Sequence, residues 1–195
     1  ALSTRPLVLR QVPIREGDDV QGYVDLISER AYRYRPGQAS DLITMPESLR
    51  AEETEARGGL LETLADFDDR LLEQLLEDAT PPAAAIYDYL ANDLRQDLIV
   101  PVMLGSAERD HGVRRLLKAL RHEVPTVDES AKRRGIAMQG TPMAEVFKVV
   151  HTPHAGKLSI ARVWRGSVAE GASLGGERIG GIMHFKAAGA TKGAA

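Results

Sequence analysis

The 195-residue sequence predicts a mixed α/β region followed by an all-β region. Three observations predict this division: apolar residues alternate with polar ones near the start, recur at three- and four-residue spacing from residue 46, and alternate again beyond residue 142. The composition, 43% hydrophobic and 27% charged, is enough to build a core, and the absence of cysteine excludes disulfides and thiolate chemistry. No apolar run approaches the length of a membrane span and no leader is recognised, so we expect no membrane partner and a cytoplasmic location.

The first elements predict a small antiparallel sheet over residues 6–35. Apolar and polar residues alternate from Leu7 to Ile14, and a turn at 16–19 precedes a second apolar run at 22–27. A third short strand at 30–34 is closed by Pro36-Gly37.

Leucines at helical spacing then predict helices over 46–96, with a bend or local break at Gly58-Gly59 and a helix boundary at Pro81-Pro82. Acidic residues far outnumber arginines between 47 and 78. This surplus is either a solvated helix face or a docking surface for a basic partner, for which we select Glu52, Glu53 and Glu55.

An apolar run at 98–104 predicts a buried strand of the parallel type, followed by a loop and a helix that begins near Gly112. Ligands of open α/β sheets bind at the carboxyl ends of strands, so the small residues Ser106 and Ala107 would bring backbone N–H groups close to a planar ligand. Strand, loop and helix form half of a βαβ unit, which leads us to expect a piece of a longer protein. The polar residues 125–141 predict a linker, and the strands over 142–195 are too few to close a barrel.

Other candidate motifs are weak. His151 and His154 lack neighbouring carboxylates, so we expect no metal site there. Gly156-Lys157 lacks the earlier glycine and the following Ser or Thr of a phosphate loop. Asp19-Val20-Gln21-Gly22 lies in a predicted hairpin turn, which is the wrong context for a magnesium-linked switch.

Four segments, taken in chain order, resemble elongation factor G, the translocation GTPase of the bacterial ribosome. They lie at residues 22–27 (GYVDLI), 60–78 (LLETLADFDDRLLEQLLED), 98–120 (LIVPVMLGSAERDHGVRRLLKAL) and 145–166 (EVFKVVHTPHAGKLSIARVWRG). Two departures indicate a divergent paralogue. Glu108 and Arg109 stand where the family usually has an aromatic and a basic residue, and the loop HTPHAGK is less acidic than the family's.

The resemblance implies a domain plan for the chain. Residues 1–97 would be an α/β subdomain inserted in a P-loop GTPase domain, with the small sheet at 6–35 and helices at 46–96. Residues 98–124 would be the last strand, guanine-contact loop and helix of that domain, and 142–195 the start of a truncated all-β barrel. Ser106 and Ala107 would contact guanine, with the Ala107 N–H facing the base oxygen, while the acidic helices would face the ribosomal stalk protein and the barrel the small-subunit RNA.

The first hypothesis is therefore part of a translational GTPase that couples GTP hydrolysis to a ribosomal step such as translocation. GTP or GDP and Mg²⁺ would bind the parent protein, whereas we expect no cofactor on this chain alone, because it lacks phosphate-loop and switch motifs and offers no catalytic residue or metal ligand. Unpaired barrel strands would favour self-association. The alternative is a free-standing interaction module whose acidic helix docks a basic protein without nucleotide; a third, weaker possibility is a small metal hydrolase using His151 and His154.

Overall fold

The computed structural model describes residues 3–152, 156–186 and 189–192. The chain divides into two units, unit 1 at Ala1–Pro125 and unit 2 at Thr126–Ala195. The division falls at a proline, close to the position where the sequence pattern changes from helical to polar.

The largest sheet of unit 1 is a four-stranded antiparallel meander. It consists of β2 (Gln11–Glu16), β3 (Asp19–Asp25), β4 (Arg30–Arg33) and β5 (Asp41–Ile43), in that order. The hairpin between β2 and β3 turns at Gly17-Asp18, where Gly17 has a positive φ of 61°. The short strand β5 was not predicted, because three residues give too little alternation to recognise.

The first strand, β1 (Leu7–Leu9), does not belong to that sheet. It pairs in parallel with β6 (Val100–Val102), so that Leu7 lies opposite Val100. The chain changes sheets at Arg10, whose backbone N–H donates to the Val102 carbonyl at 3.0 Å and whose carbonyl accepts from the Leu26 N–H at 3.1 Å. The prediction of one uninterrupted first strand in the antiparallel sheet was therefore wrong.

Three helices follow the sheet: α1 (Arg50–Ala65), α2 (Asp69–Leu76) and α3 (Ala83–Arg95). The local break expected at Gly58-Gly59 does not occur, since α1 continues through both glycines; the alternative of a bend stays a prediction. The helix ends instead at residues 66–68, where Asp68 caps α2 by accepting from the backbone N–H groups of Arg70 and Leu71. Pro82 precedes the first turn of α3, as the two prolines predicted.

The core of unit 1 lies between the sheets and the helices. Its buried members come from β1 to β4, from the turn after β3, from all three helices and from the residue before β6: Val8, Val12, Val24, Leu26, Ile27, Ala31, Leu60, Leu61, Leu64, Ala65, Leu71, Ile86, Leu90 and Ile99. The parallel pairing of β6 agrees with the strand type predicted from the apolar run. The predicted burial of that strand is not observed. Leu7, Leu9 and Val100 form an exposed apolar face on the β1–β6 pair.

Unit 1 ends with α4 (Val113–His122), at the position predicted from the sequence. In unit 2, the segment predicted to be a linker contains α5 (Val127–Arg133), which begins with a capping box formed by Thr126 and Glu129. The capping box explains why so polar a segment is helical, because it satisfies backbone N–H groups without burying apolar surface.

The described strands of unit 2 pair two by two. They are β7 (Met143–Thr152) with β8 (Gly156–Arg165), β9 (Ser173–Leu174) with β10 (Glu177–Arg178), and β11 (Met183–Lys186) with β12 (Gly189–Lys192). All of these strands lie within the region 142–195 in which the sequence predicted strands. Of the described residues, no helix is both long and apolar enough to cross a membrane.

Candidate functional site

The loop between β6 and α4 is a tight turn closed by two backbone hydrogen bonds. The Ser106 N–H donates to the His111 carbonyl at 3.0 Å, and the His111 N–H donates to the Ser106 carbonyl at 2.9 Å. Residues 107–110 form the turn itself. Gly112 then starts α4 with a φ of 74°, and a Cβ placed there would lie 2.3 Å from the Leu104 carbonyl oxygen. Only glycine fits this position, because both the backbone conformation and the close contact exclude a side chain.

This turn lies at one end of a groove of about 490 Å³. The walls are mainly apolar and include Leu94 from α3, Met103 after β6, and Leu116 and Leu120 from α4. Ser106 and Ala107 belong to the lining, so the structure places both residues at the carboxyl end of a parallel strand and beside a groove. That is the usual place for a ligand in an open α/β sheet.

The two predicted site residues differ in what their backbone can offer. The Ser106 N–H is occupied by His111, and Ser106 is half-buried. Ala107 is exposed, and in the described part of the chain its N–H has no acceptor. Of the two amides, only that of Ala107 therefore remains available as a donor to a ligand.

A buried ion pair fixes the far end of α4. Arg10, fully buried where the chain changes sheets, donates to Glu123 at 2.6 and 3.3 Å. The Arg10 guanidinium also lies over the Tyr87 ring, 5.7 Å from its centroid. The residue after α4 is thereby joined to β2 and α3.

A second buried pair fixes the first turns of the same helix. Arg115 donates to Asp25 at 2.9 Å, and Asp25 also accepts from the Ser28 N–H at 3.0 Å. Burial alone would raise the pKa of Asp25, but the Ser28 N–H and the Arg115 guanidinium outweigh burial and hold that pKa below its usual value. Asp25 therefore remains a carboxylate at neutral pH, and α4 is held at both ends by charged contacts.

The acidic residues chosen for docking do not share one environment. Glu52 and Glu55 are exposed on α1, but Glu53 is only 5% exposed. Burial, with a smaller contribution from the nearby Glu29 carboxylate, raises the pKa of Glu53. Adjacent residues of a helix point to different faces, so Glu53 can face the interior of unit 1 while Glu52 faces solvent. Glu53 is therefore not part of an exposed acidic surface. The docking role of Glu52 and Glu55 stays a prediction.

Of the two histidines considered as metal ligands, the structure describes one. His151 lies near the end of β7, opposite Lys157 of β8, while His154 is outside the described residues. Within the described ranges, no three His, Asp or Glu side chains lie close enough together to hold a metal ion.

The side chains that surround the loop were not predicted from the sequence. The ring of His111 stacks on that of Tyr34, with centroids 4.5 Å apart and planes 13° from parallel. Gln11 accepts from the Leu104 N–H at 2.8 Å. The sequence offered two signals of such polar contacts: a glutamine, Gln11, within an alternating strand and an aspartate, Asp25, within an apolar run. Both side chains are buried in the structure.

The chain resembles known proteins along almost its whole length. No family model matches the chain. An elongation factor G-like protein of Synechocystis sp. is 49% identical over 187 residues, which cover 95% of this chain and 28% of the relative. The chain is thus similar to an elongation factor G-like protein over nearly its whole length. A crystal structure of a protein from Thermus thermophilus is 28% identical, with a TM-score of 0.67, and its match covers 96% of this chain and 26% of that one. The chain spans little more than a quarter of each protein to which it is similar.

Proposed function

We propose that this chain supplies the guanine-contact loop of a longer, GTP-binding translation factor of the elongation factor G-like type. The observation that carries the proposal is the Ala107 N–H, which has no acceptor in the described structure and lies beside the groove at the carboxyl end of β6. Guanine presents its O6 oxygen as an acceptor, whereas adenine presents an amino group at the equivalent position. A fixed N–H donor at Ala107 would therefore favour guanine over adenine.

The longer protein would couple GTP hydrolysis to a step on the ribosome. When bound, GTP and Mg²⁺ would supply the phosphoryl group and the charge neutralisation that its transfer requires. The described residues fit the base and not the phosphates: they include a free backbone donor beside the groove but no cluster of metal ligands. Within the longer protein, the role of this chain would be to orient the base, while other segments hold phosphate and metal.

The chain alone is not expected to retain a nucleotide, but weak contact of the base with the loop can be detected on the chain itself at high nucleotide concentration. Uniformly ¹⁵N-labelled chain is titrated with GMP, IMP and AMP, which share one phosphate group and differ at position 6 of the base. We expect GMP and IMP to shift the amide resonances of Ser106 and Ala107 and AMP to leave them in place. Ala107→Pro removes the N–H and should abolish the Ser106 shift. Equal shifts with all three nucleotides, or a full Ser106 shift in the proline variant, would contradict the proposal.

An acidic surface on α1 and α2 supports a further proposal, docking of the ribosomal stalk protein. Glu52 and Glu55 are exposed on α1, and Leu72 and Leu76 of α2 are exposed beside further acids. Charges around an apolar contact attract a basic partner and mainly increase its association rate.

The docking proposal is tested by calorimetric titration with the isolated C-terminal domain of the stalk protein at low and moderate salt. Binding should weaken as salt rises and disappear in the double variant Glu52→Lys/Glu55→Lys. The matched control, Glu16→Lys/Asp18→Lys, changes the net charge equally at an exposed hairpin of the sheet and should bind like the unmodified chain. If both double variants lose binding equally, overall charge rather than this surface is responsible. Absence of binding at either salt concentration removes the docking role.

A further inference from the structure

The peptide group at Leu104 is held from both sides by the four-stranded sheet. Its N–H donates to Oε1 of Gln11, which is only 3% exposed, and its carbonyl accepts from the Tyr34 hydroxyl at 3.4 Å. Burial raises the pKa of Tyr34 to about 12, so the hydroxyl remains a neutral donor at every physiological pH. Side chains of the sheet therefore set the point at which the chain leaves β6 and enters the loop.

The same tyrosine also holds the other end of the turn. The Tyr34 ring, itself packed 5.5 Å from Tyr23, stacks on His111. His111 is the residue whose backbone exchanges two hydrogen bonds with Ser106. One buried side chain thus contacts the residue two positions before Ser106 and the residue that pairs with Ser106.

Two further contacts near the surface also hold the loop and α4, but they stabilise the loop less than the buried contacts do. Arg109 of the turn pairs with Asp19 of β3 at 3.0 Å, and Arg114 of α4 donates to the Gly37 carbonyl at 3.2 Å. Both Arg109 and Asp19 are more than half exposed, and exposed pairs stabilise by about 0–1 kcal/mol. The buried contacts of Tyr34 and Gln11 are the ones that restrict the loop.

We propose that Tyr34, acting through His111 and Leu104, is a positioning residue that presents the Ala107 N–H to the guanine base. This proposal rests on the function proposed for the loop. The physical reason is that a hydrogen bond weakens steeply when its donor is displaced or tilted, so a donor on a four-residue turn selects a base only if the turn is fixed. The sheet of unit 1 thereby controls base selectivity without touching the nucleotide.

The first measurement is residue-resolved amide hydrogen exchange on the whole chain. Tyr34→Leu removes the stack and the hydroxyl but keeps apolar volume, and we expect at least tenfold faster exchange at the Ser106 and His111 amides. The Leu26 amide, bonded to the Arg10 carbonyl, reports on the core and should exchange at an unchanged rate. Tyr34→Phe retains the stack and should restore most of the protection.

The matched control is Tyr32→Leu. Tyr32 lies on β4, two positions before Tyr34, and its ring stacks on that of Tyr23 with centroids 5.2 Å apart. This variant should leave exchange at Ser106 and His111 unchanged. Equal acceleration at all amides in Tyr34→Leu, or loop acceleration of equal size in Tyr32→Leu, would overturn the positioning role.

The second measurement compares GMP and AMP on the same variants by the resonance shifts of Ser106 and Ala107. We expect Tyr34→Leu to lose at least fivefold in the preference for GMP and Tyr34→Phe and Tyr32→Leu to retain the preference. If the unmodified chain shows no preference, the proposed function fails, and the positioning of a base fails with it, even where exchange shows that the loop is held. If the unmodified chain prefers GMP and Tyr34→Leu does so equally, the positioning role alone fails.

Discussion

The Arg10–Glu123 pair gives the sharpest prediction about stability. Glu123→Gln keeps the side-chain shape and removes the charge that faces Arg10, whose side chain is 0% exposed. Removing one partner of a buried pair destabilises a protein by about 3–5 kcal/mol, because the other charge stays buried without compensation. The Arg10 Nε already lacks a hydrogen-bond partner in the described structure, which adds to the effect.

The remaining contact with the Tyr87 ring, 5.7 Å away, reduces the loss. We therefore expect Glu123→Gln to lower the free energy of unfolding of unit 1 by about 3 kcal/mol. For a unit of residues 1–125, this corresponds to a decrease in Tm of about 10 °C. Urea unfolding followed by far-UV circular dichroism measures the change, with an unchanged m value as the condition for reading it as stability.

The control removes both charges together. In Arg10→Met/Glu123→Leu, no buried charge is left uncompensated, so the double variant should lie within about 1 kcal/mol of the unmodified chain. The reasoning would be refuted if the double variant lost as much free energy of unfolding as the single variants Arg10→Met and Glu123→Leu lose together. A Glu123→Gln variant that unfolds at the same urea concentration as the unmodified chain would refute it as well.

Three further predictions concern single residues. Gly112→Ala should destabilise unit 1 by at least about 2 kcal/mol, because Gly112 has a positive φ and a Cβ there would clash with the Leu104 carbonyl oxygen. Gly58→Ala lies in open space within α1 and should stabilise unit 1 by about 0.5–1 kcal/mol. Thermal unfolding that ranks the two variants in the opposite order would contradict this. Burial raises the pKa of Asp93 to about 6, above its value of 3.8 in the unfolded chain. The charged carboxylate therefore destabilises the fold at pH 7, and this penalty disappears as the pH falls through 6 towards 4. In urea unfolding, Asp93→Asn should raise the free energy of unfolding by about 1–2 kcal/mol at pH 7 and change it little at pH 4. The Arg134 side chain and the indole N–H of Trp164 hold the pKa of Glu145 below its usual value. The emission of Trp164, the only tryptophan, should therefore change on acidification with a midpoint at lower pH than that of an unpaired glutamate, and Glu145→Gln should abolish the change. A midpoint above that of an unpaired glutamate would show that the carboxylate is not held in its charged form.

The local elements follow from the sequence because their causes are local. Helical spacing of leucines predicted helices over 46–96, and Pro81-Pro82 predicted a helix boundary, since proline lacks the N–H that a helix interior requires. The alternation over 143–165 corresponds to the hairpin of β7 and β8. The position of Ser106 and Ala107 after an apolar strand could also be predicted from the sequence, because strand, glycine and helix follow one another within a few residues.

Other features depended on residues far apart in the chain. The separation of β1 from β2 arises because Leu7 pairs with Val100, and no pattern at either strand specifies a partner so distant. The burial of Glu53 among otherwise exposed acids depends on which side of α1 packs against the sheet. The local break predicted at Gly58-Gly59 is absent for the same reason, since packing along one face stabilises a helix that propensity alone would weaken.

The sequence by itself determined the kinds of elements, their order and the small residues of the candidate loop. Tertiary structure alone decided how that loop is held: Tyr34 against His111, Gln11 against Leu104 and the buried charges around α4. The physical reason is that periodicity and turn preference act over a few residues. A stacked ring or a buried ion pair exists only after segments about 75 to 115 residues apart have been brought together.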